Sequence, residues 1–336
     1  MGARGYKNNY AQVLITPFLR ERLPLQRRAS HHTCESYAYT FQLLFAFASK
    51  RLALPPSELC LEHLDAQLVM DFLAHLETRR GNSPSTRNTR LAAIKSFMRF
   101  VEYRVPSILE QSRRVLAIPK KKTDQPLVNY LSMVEMQAIL DAPDVRTRYG
   151  IRDRAMMHLC FAAALRVSEL LALPLTALTF HPTLTVQVQG KGRRERALPL
   201  WKQTADDLQE WLAIRGDNSI PQVFLSTHGR AMTRMGFTHL LNKYVRLAAQ
   251  GCPSLNEKHV TPHVLRHTCA LMILQATGDL RKVSLWLGHA DMQTTEVYLR
   301  ADPTEKIEAL EAVMPPALRR GEFTVSDKLI ASLQGE

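Results

Sequence analysis

The chain has 336 residues, enough for two cores at 46% hydrophobic content, and a formal net charge of +13 with a pI near 9.7. The positive excess is concentrated: residues 1–122 hold 20 Lys and Arg against 9 Asp and Glu, while the remainder holds 24 against 22. That balance implies a polyanion-binding module joined to a nearly neutral one, and the absence of GxxxxGK[ST], HExxH and GxGxxG strings leaves no basis for ATP, zinc-protease or dinucleotide chemistry.

Residues 1–30 are polar and basic, with Arg20, Arg22, Arg27 and Arg28, and read as a mobile or DNA-ordered arm. A helix from Thr33 carries Tyr37, Phe41, Leu44, Phe45 and Ala48 as an apolar stripe. Leu64 to Leu76 reads as a second helix, with Val69, Phe72, Leu73 and Leu76 inward. Ser83 to Thr86 then caps a long helix whose apolar side holds Leu91, Ile94, Met98 and Val101. Its opposite side holds Arg87, Arg90, Lys95 and Arg99. An ordinary solvated face is the plain alternative, but uniform sign on a basic domain points to a helix laid against duplex DNA. Lys120, Lys121 and Lys122, followed by Pro126, break all periodicity and predict an interdomain linker. Ser132 and Glu135 have capping-box spacing and open the second domain.

In that domain the pattern predicts helices over Ile151–Leu165 and Val167–Leu173. Leu184, Val186 and Val188 alternate with polar residues as a strand, Gly190-Lys191-Gly192 turns it, and Glu195–Leu200 returns as a β-hairpin. Helices near Thr204–Arg215 and Met235–Ala249 follow. Thr261-Pro262 starts another helix, Gly278 fits its end, and the spacing of three puts His263 and Arg266 on one face. Val283–Leu287 ends at Gly288, so His289 lies just past a helix terminus, and Tyr298 follows nine residues later. Pro303–Val313 is expected to be helical, and Val325–Leu333 reads as one more helix. Five scattered cysteines (Cys34, Cys60, Cys160, Cys252, Cys269) lack CxxC spacing, which argues for reduced thiols in a cytoplasm. No apolar stretch or leader pattern suggests a membrane.

The strings LRVSELLAL, GKGRRERALPL, HVLRHT and LGHADMQTTEVY occur in that order and carry Arg166, Lys191, His263, Arg266, His289 and Tyr298. Any one of them is weak; as an ordered set they are specific. From about Thr33 to about Tyr298 the chain resembles the tyrosine recombinases of the phage-integrase family, in the style of Xer-like and transposon-borne members. One departure is Ala164, where the family often has glycine; little effect is expected from it.

The resemblance implies a mainly α fold with a small β-hairpin or sheet (α+β), forming a C-shaped clamp on DNA. A core-binding, SAM-like domain with arm and linker would span 1–122, the catalytic domain 123–313, and a tail 314–336. It implies site-specific cutting and rejoining of double-stranded DNA through a 3′-phosphotyrosyl link and a Holliday junction. Tyr298 would be the nucleophile, Arg166 and Arg266 the phosphate ligands, and Lys191 the acid for the 5′-oxygen. His263 and His289 would exchange protons or donate hydrogen bonds. Glu169 would steady Arg166, and His267 would pack behind. Two guanidinium groups suit a phosphorane's charge without metal, so neither a divalent cation nor another cofactor is expected. Lys120, Lys121 and Lys122 would lie on phosphates. The expected assembly is a dimer per site and a tetrameric synapse, or a hetero-oligomer with sibling recombinases, with the C-terminal helix passed to a neighbour. The competing readings are a type IB topoisomerase, a catalytically idle DNA-binding accessory protein, and a basic helical protein of RNA or chromatin.

Overall fold

The computed structural model describes residues 11–124, 128–190, 195–216, 219–289 and 292–301. Lys191 and the expected Pro303–Val313 and Val325–Leu333 helices lie outside the described residues. The chain divides into two compact units, Met1–Gln125 and Pro126–Glu336, each built around its own buried cluster.

The first unit corrects the expectation of a mobile or DNA-ordered arm over residues 1–30 for its described part, residues 11–30, while residues 1–10 lie outside the described residues. Helix α1 (Ala11–Pro17) runs into a π-helical segment, Phe18–Gln26. Ala11, Ile15, Phe18 and Leu23 are buried, at spacings near one helical turn, among arginines that had masked the stripe. Phe18 is wholly enclosed, its ring within 6.5 Å of those of Tyr37, Phe41, Phe97 and Phe100. Three following helices start on side-chain caps: α2 (His31–Leu52) on Ser30, α3 (Ala66–Thr78) on Asp65, and α4 (Pro84–Glu102) on Ser83. Helix α5 (Leu109–Ala117) packs against α4.

In the second unit, Ser132 and Glu135 form the reciprocal capping box that their spacing predicts and open α6 (Met133–Asp141). Helix α7 (Arg148–Ala162) is almost entirely buried and ends three residues earlier than the apolar pattern suggested. The chain leaves it at Ala164, whose φ of +46° is left-handed. Helix α8 (Val167–Ala172) follows. Strands β1 (Leu178–Thr179), β2 (Thr185–Gln189) and β3 (Glu195–Pro199) form an antiparallel sheet in that order, with Val186 opposite Leu198 and Val188 opposite Arg196. Strand β1 was not anticipated, being too short to display an alternation. Helix α9 (Lys202–Arg215) lies on α7, and α10 (Arg234–Ala248) lies on α6. Helix α11 (Pro262–Thr277) packs against α7, α12 (Leu280–Leu287) and α13 (Val297–Ala301), and so becomes the hub of the site.

Candidate active site

The site begins where α7 stops. Ala164 turns the chain, and its carbonyl accepts a hydrogen bond from the Arg266 guanidinium on α11. Arg166 then serves as the N-cap residue of α8, and Glu169 at the third helical position reaches back to its backbone N–H at 3.0 Å. The same carboxylate takes the Arg166 guanidinium at 2.7 Å. Glu169 is therefore a capping-box acid as well as an ion-pair partner, not the solvated i,i+3 pair that its spacing alone allows.

Glu169 also receives a guanidinium that sequence reasoning passed over. Arg196 on β3 donates to it from Nη2 at 2.8 Å and Nη1 at 3.3 Å. Nη1 of Arg266 lies 4.0 Å away. Burial alone would push the Glu169 carboxyl up, but the bonds from Arg196 and Arg166 outweigh it and hold the group below the usual carboxylate range. Three guanidinium groups on one carboxylate leave a surplus of positive charge. The signal for Arg196 was present in the strand pattern: it shares the inward face of β3 with Leu198, an unusual place for a charge.

Arg266 is buried, donating also to the Leu287 carbonyl at 2.7 Å. Burial pulls its pKa down to about 10, which leaves it charged at neutral pH. His263, one turn earlier on α11, is exposed to solvent; partial desolvation and the Arg266, Arg234 and Arg166 charges hold it below the ordinary imidazole value. His289 follows Gly288 and is hydrogen-bonded through Nδ1 to the Thr295 hydroxyl at 2.8 Å. Burial first, then Arg266, Arg166 and Arg196, lower it to about 4.

Tyr298 on α13 is 2% exposed, and its hydroxyl lies 2.8 Å from Nδ1 of His267. The His267 ring in turn stacks on that of His263 at 5.9 Å. Burial raises the phenol to about 12 against the opposing Arg266 and Arg166 charges. Burial also lowers His267 to about 4, helped by His263 and Arg266. His267, expected to pack behind the site, is thus the hydrogen-bond partner of the phenol. Beside Arg166 and Glu169, a cleft of about 780 Å³ opens, edged by Gln187, Gln189 and Glu195.

The basic residues of the first unit separate into two groups. Arg87 is 7% exposed, donates to the Pro119 carbonyl at 3.2 Å, and sits 3.9 Å from Glu77. Arg90 donates to the Ser36 carbonyl and the Thr40 hydroxyl and lies over the Tyr39 ring. Neither is a free cation on a solvent face, which corrects the helix-face reading. The reason is periodicity: Arg87 falls four before Leu91 and seven before Ile94, on the buried stripe itself. Lys121 binds the Glu77 carboxylate at 2.9 Å. Arg99, Lys120 and Lys122 are exposed. Lys95 is half-buried, and desolvation, with the charges of Arg99, Lys120 and Arg87, lowers its ammonium below the ordinary lysine value.

Residues 129–305 match the model of the Phage integrase family, and residues 16–104 match that of the phage integrase N-terminal SAM-like domain. The chain belongs to the phage integrase family. It is accordingly a tyrosine recombinase, an enzyme of site-specific DNA breaking and rejoining. The chain is 42% identical over 322 residues to the putative integrase/recombinase y4rC of Sinorhizobium fredii, covering 95% of this chain and 96% of that one. It is 30% identical over 299 residues to the tyrosine recombinase XerC of Pelobacter propionicus, covering 89% and 94%. Among solved structures, its fold resembles that of the XerH site-specific recombinase in a post-cleavage complex with difH substrate. That likeness has a TM-score of 0.66 and 22% identity, and covers 85% of this chain and 81% of that one. The Tn1549 transposon integrase, complexed with a circular intermediate DNA, gives a TM-score of 0.65 at 14% identity, over 89% and 99%. No described helix of this integrase is long and apolar enough to cross a membrane.

Proposed function

We propose that Tyr298 is the nucleophile of this recombinase and that Arg166 and Arg266 bind the scissile phosphate. The observation that carries the reading is the gathering of both guanidinium groups on Glu169, with their charges acting on the Tyr298 phenol. In the step, the phenol oxygen bonds to phosphorus and the bond to the 5′-oxygen breaks. The phenol proton passes to His267, the nitrogen already 2.8 Å away, and the 5′-oxygen takes a proton from Lys191. A ring lowered to about 4 is neutral at pH 7 but a weak base towards a phenol raised to about 12, so the proton moves only as the phenol oxygen bonds to phosphorus and gains acidity. The reverse step, with a 5′-hydroxyl from a second duplex as attacker, rejoins the strand and conserves the bond energy without ATP. The surplus positive charge around Glu169 suits the phosphorane, where losing one preorganised donor typically costs about 3–4 kcal/mol.

His263 and His289 complete the phosphate's donors, and this chemistry uses no metal. The exposed Lys120 and Lys122, with Lys95 and Arg99, form the phosphate-facing surface of the first unit, whereas Arg87, Arg90 and Lys121 serve mainly to hold that unit together. The boundaries 1–122, 123–313 and 314–336 remain our working division into DNA-gripping, catalytic and tail segments. The protein acts in the cytoplasm as a dimer on each site and a tetramer in synapsis, or beside sibling recombinases. We further propose service to a mobile element, the setting of the transposon integrase whose fold this chain resembles.

A test can let the protein select its own site. A library of random-sequence duplexes, each nicked near its centre, is incubated with the protein and denatured, and protein-linked strands are sequenced. We expect a consensus and a tryptic peptide carrying nucleotide on Tyr298. Duplex binding with no covalent strand, or a modified residue other than Tyr298, overturns the assignment.

A further inference from the structure

We propose that Arg196 is a positioning residue for strand cleavage, clamping Glu169 from strand β3 so that Arg166 and the turn before His289 keep one fixed geometry. The inference rests on the roles proposed above for Arg166 and Arg266. The Arg196 side chain is 9% exposed and forms two hydrogen bonds to a carboxylate that is itself only 6% exposed. A paired guanidinium and carboxylate fix each other in a plane, which a point charge does not do.

Contact with the other arm of the site comes through Gly288. There φ is +62°, and a Cβ would stand 3.1 Å from both Cδ and Nη1 of Arg196. The glycine therefore does two things: it closes α12 in a left-handed conformation and leaves room for the guanidinium against the turn that delivers His289. One side chain thus touches the α12 terminus and the Glu169 carboxylate, which in turn holds Arg166. Without Arg196, burial would favour protonation of Glu169 and loosen its hold on Arg166.

A purely structural brace between β3 and α8 would affect folding but not the reaction of folded protein. The experiment measures single-turnover formation of the covalent adduct on the nicked duplex selected with wild-type protein, at saturating enzyme, alongside duplex affinity and thermal midpoint. Arg196→Met should slow adduct formation on the order of 10²-fold, the scale for a lost preorganised contact, with duplex affinity changed by less than about threefold. Arg196→Lys, keeping the charge and one bond, should recover part of the rate. Glu169→Gln combined with Arg196→Met should lose no more than the worse single variant, because both break one unit.

An adduct rate for Arg196→Met within about twofold of wild type, a loss confined to affinity, or losses that multiply in the double variant would overturn the proposal. If Arg196→Met does not fold, Arg196→Lys carries the test: a rate equal to wild type rejects the clamp, and about a tenfold loss supports it. Wild-type protein that forms no adduct refutes the Tyr298 reading instead, so the two failures are distinguishable.

Discussion

The hydroxyl of Tyr298 and Nδ1 of His267 stand 2.8 Å apart, across 31 residues of chain. Helix α11 makes this possible by placing His267 directly after Arg266, so one turn of helix carries both the guanidinium proposed to bind phosphate and the partner of the phenol. Substituting His267 by Phe keeps the ring volume but removes the acceptor. A buried hydroxyl left without a partner costs about 1–3 kcal/mol, so the thermal midpoint should fall. Adduct formation should slow by about 10²–10⁴-fold, the usual worth of a positioned proton acceptor. Stopped-time denaturing gels measure the second effect, and an unchanged rate assigns the phenol's proton to another group.

Tyr298→Phe removes the hydroxyl proposed as nucleophile while preserving the buried ring. Covalent attachment should vanish, and duplex affinity by mobility shift should stay within about twofold, since the hydroxyl reaches phosphate only in the reaction. Persistence of an adduct in this variant removes Tyr298 from its role.

Ala164 adopts φ +46°, where a Cβ is crowded by the backbone at a cost of about 1–2 kcal/mol. The small effect anticipated for alanine at this position is therefore an underestimate. Ala164→Gly should stabilise the protein by about 1 kcal/mol, net of glycine's greater entropy when unfolded, and raise the midpoint by roughly 2–4 °C. Calorimetry decides it. A fall in midpoint would mean that the turn is held by something other than backbone preference.

Stability should rise with pH in two windows. His267 and His289, both lowered to about 4 chiefly by burial, are neutral in the folded protein, whereas unfolded imidazoles protonate near 6.5. Their contribution is complete above about 6.5 and declines as the pH falls toward 4. Glu135 is buried, which alone would raise it, but hydrogen bonds from Lys258, Ser254 and the Ser132 backbone bring it to about 2. Its contribution is complete above about 4.5 and is lost as the pH falls toward 2. Denaturant titrations across pH 3–8 should show Glu135→Gln flattening only the lower window.

Reversing Lys95 and Arg99 together should reduce the slope of log affinity against log salt by about 2, near 0.9 per lost phosphate contact. Arg87→Ala should instead destabilise the first unit by about 1–3 kcal/mol, since it strips a donor from the Pro119 carbonyl and leaves Glu77 short of one cation. If Arg87→Ala changes the salt slope and not stability, the assignment of the two groups is reversed.

Local information in the sequence determined the capped helix starts at Ser83, Ser132 and Thr261, the paired strands β2 and β3, and the order of the candidate site residues. A capping box such as Ser132 and Glu135, or a Thr-Pro start such as Thr261-Pro262, is decided within four residues, so it can be read directly. Ordered strings also sufficed to indicate the family and the four described residues, Arg166, His263, His289 and Tyr298, that gather around Arg266. Tertiary structure decided which charges are spent inside the protein. Arg87 and Arg90 look like surface cations until the neighbours at Pro119, Ser36 and Thr40 are in place. Arg196 acquires its meaning only when β3 is brought against α8 and Gly288, and His267 only when α13 folds back onto α11. A charge's partner is set by proximity in space, and proximity between distant segments is not encoded in any local period.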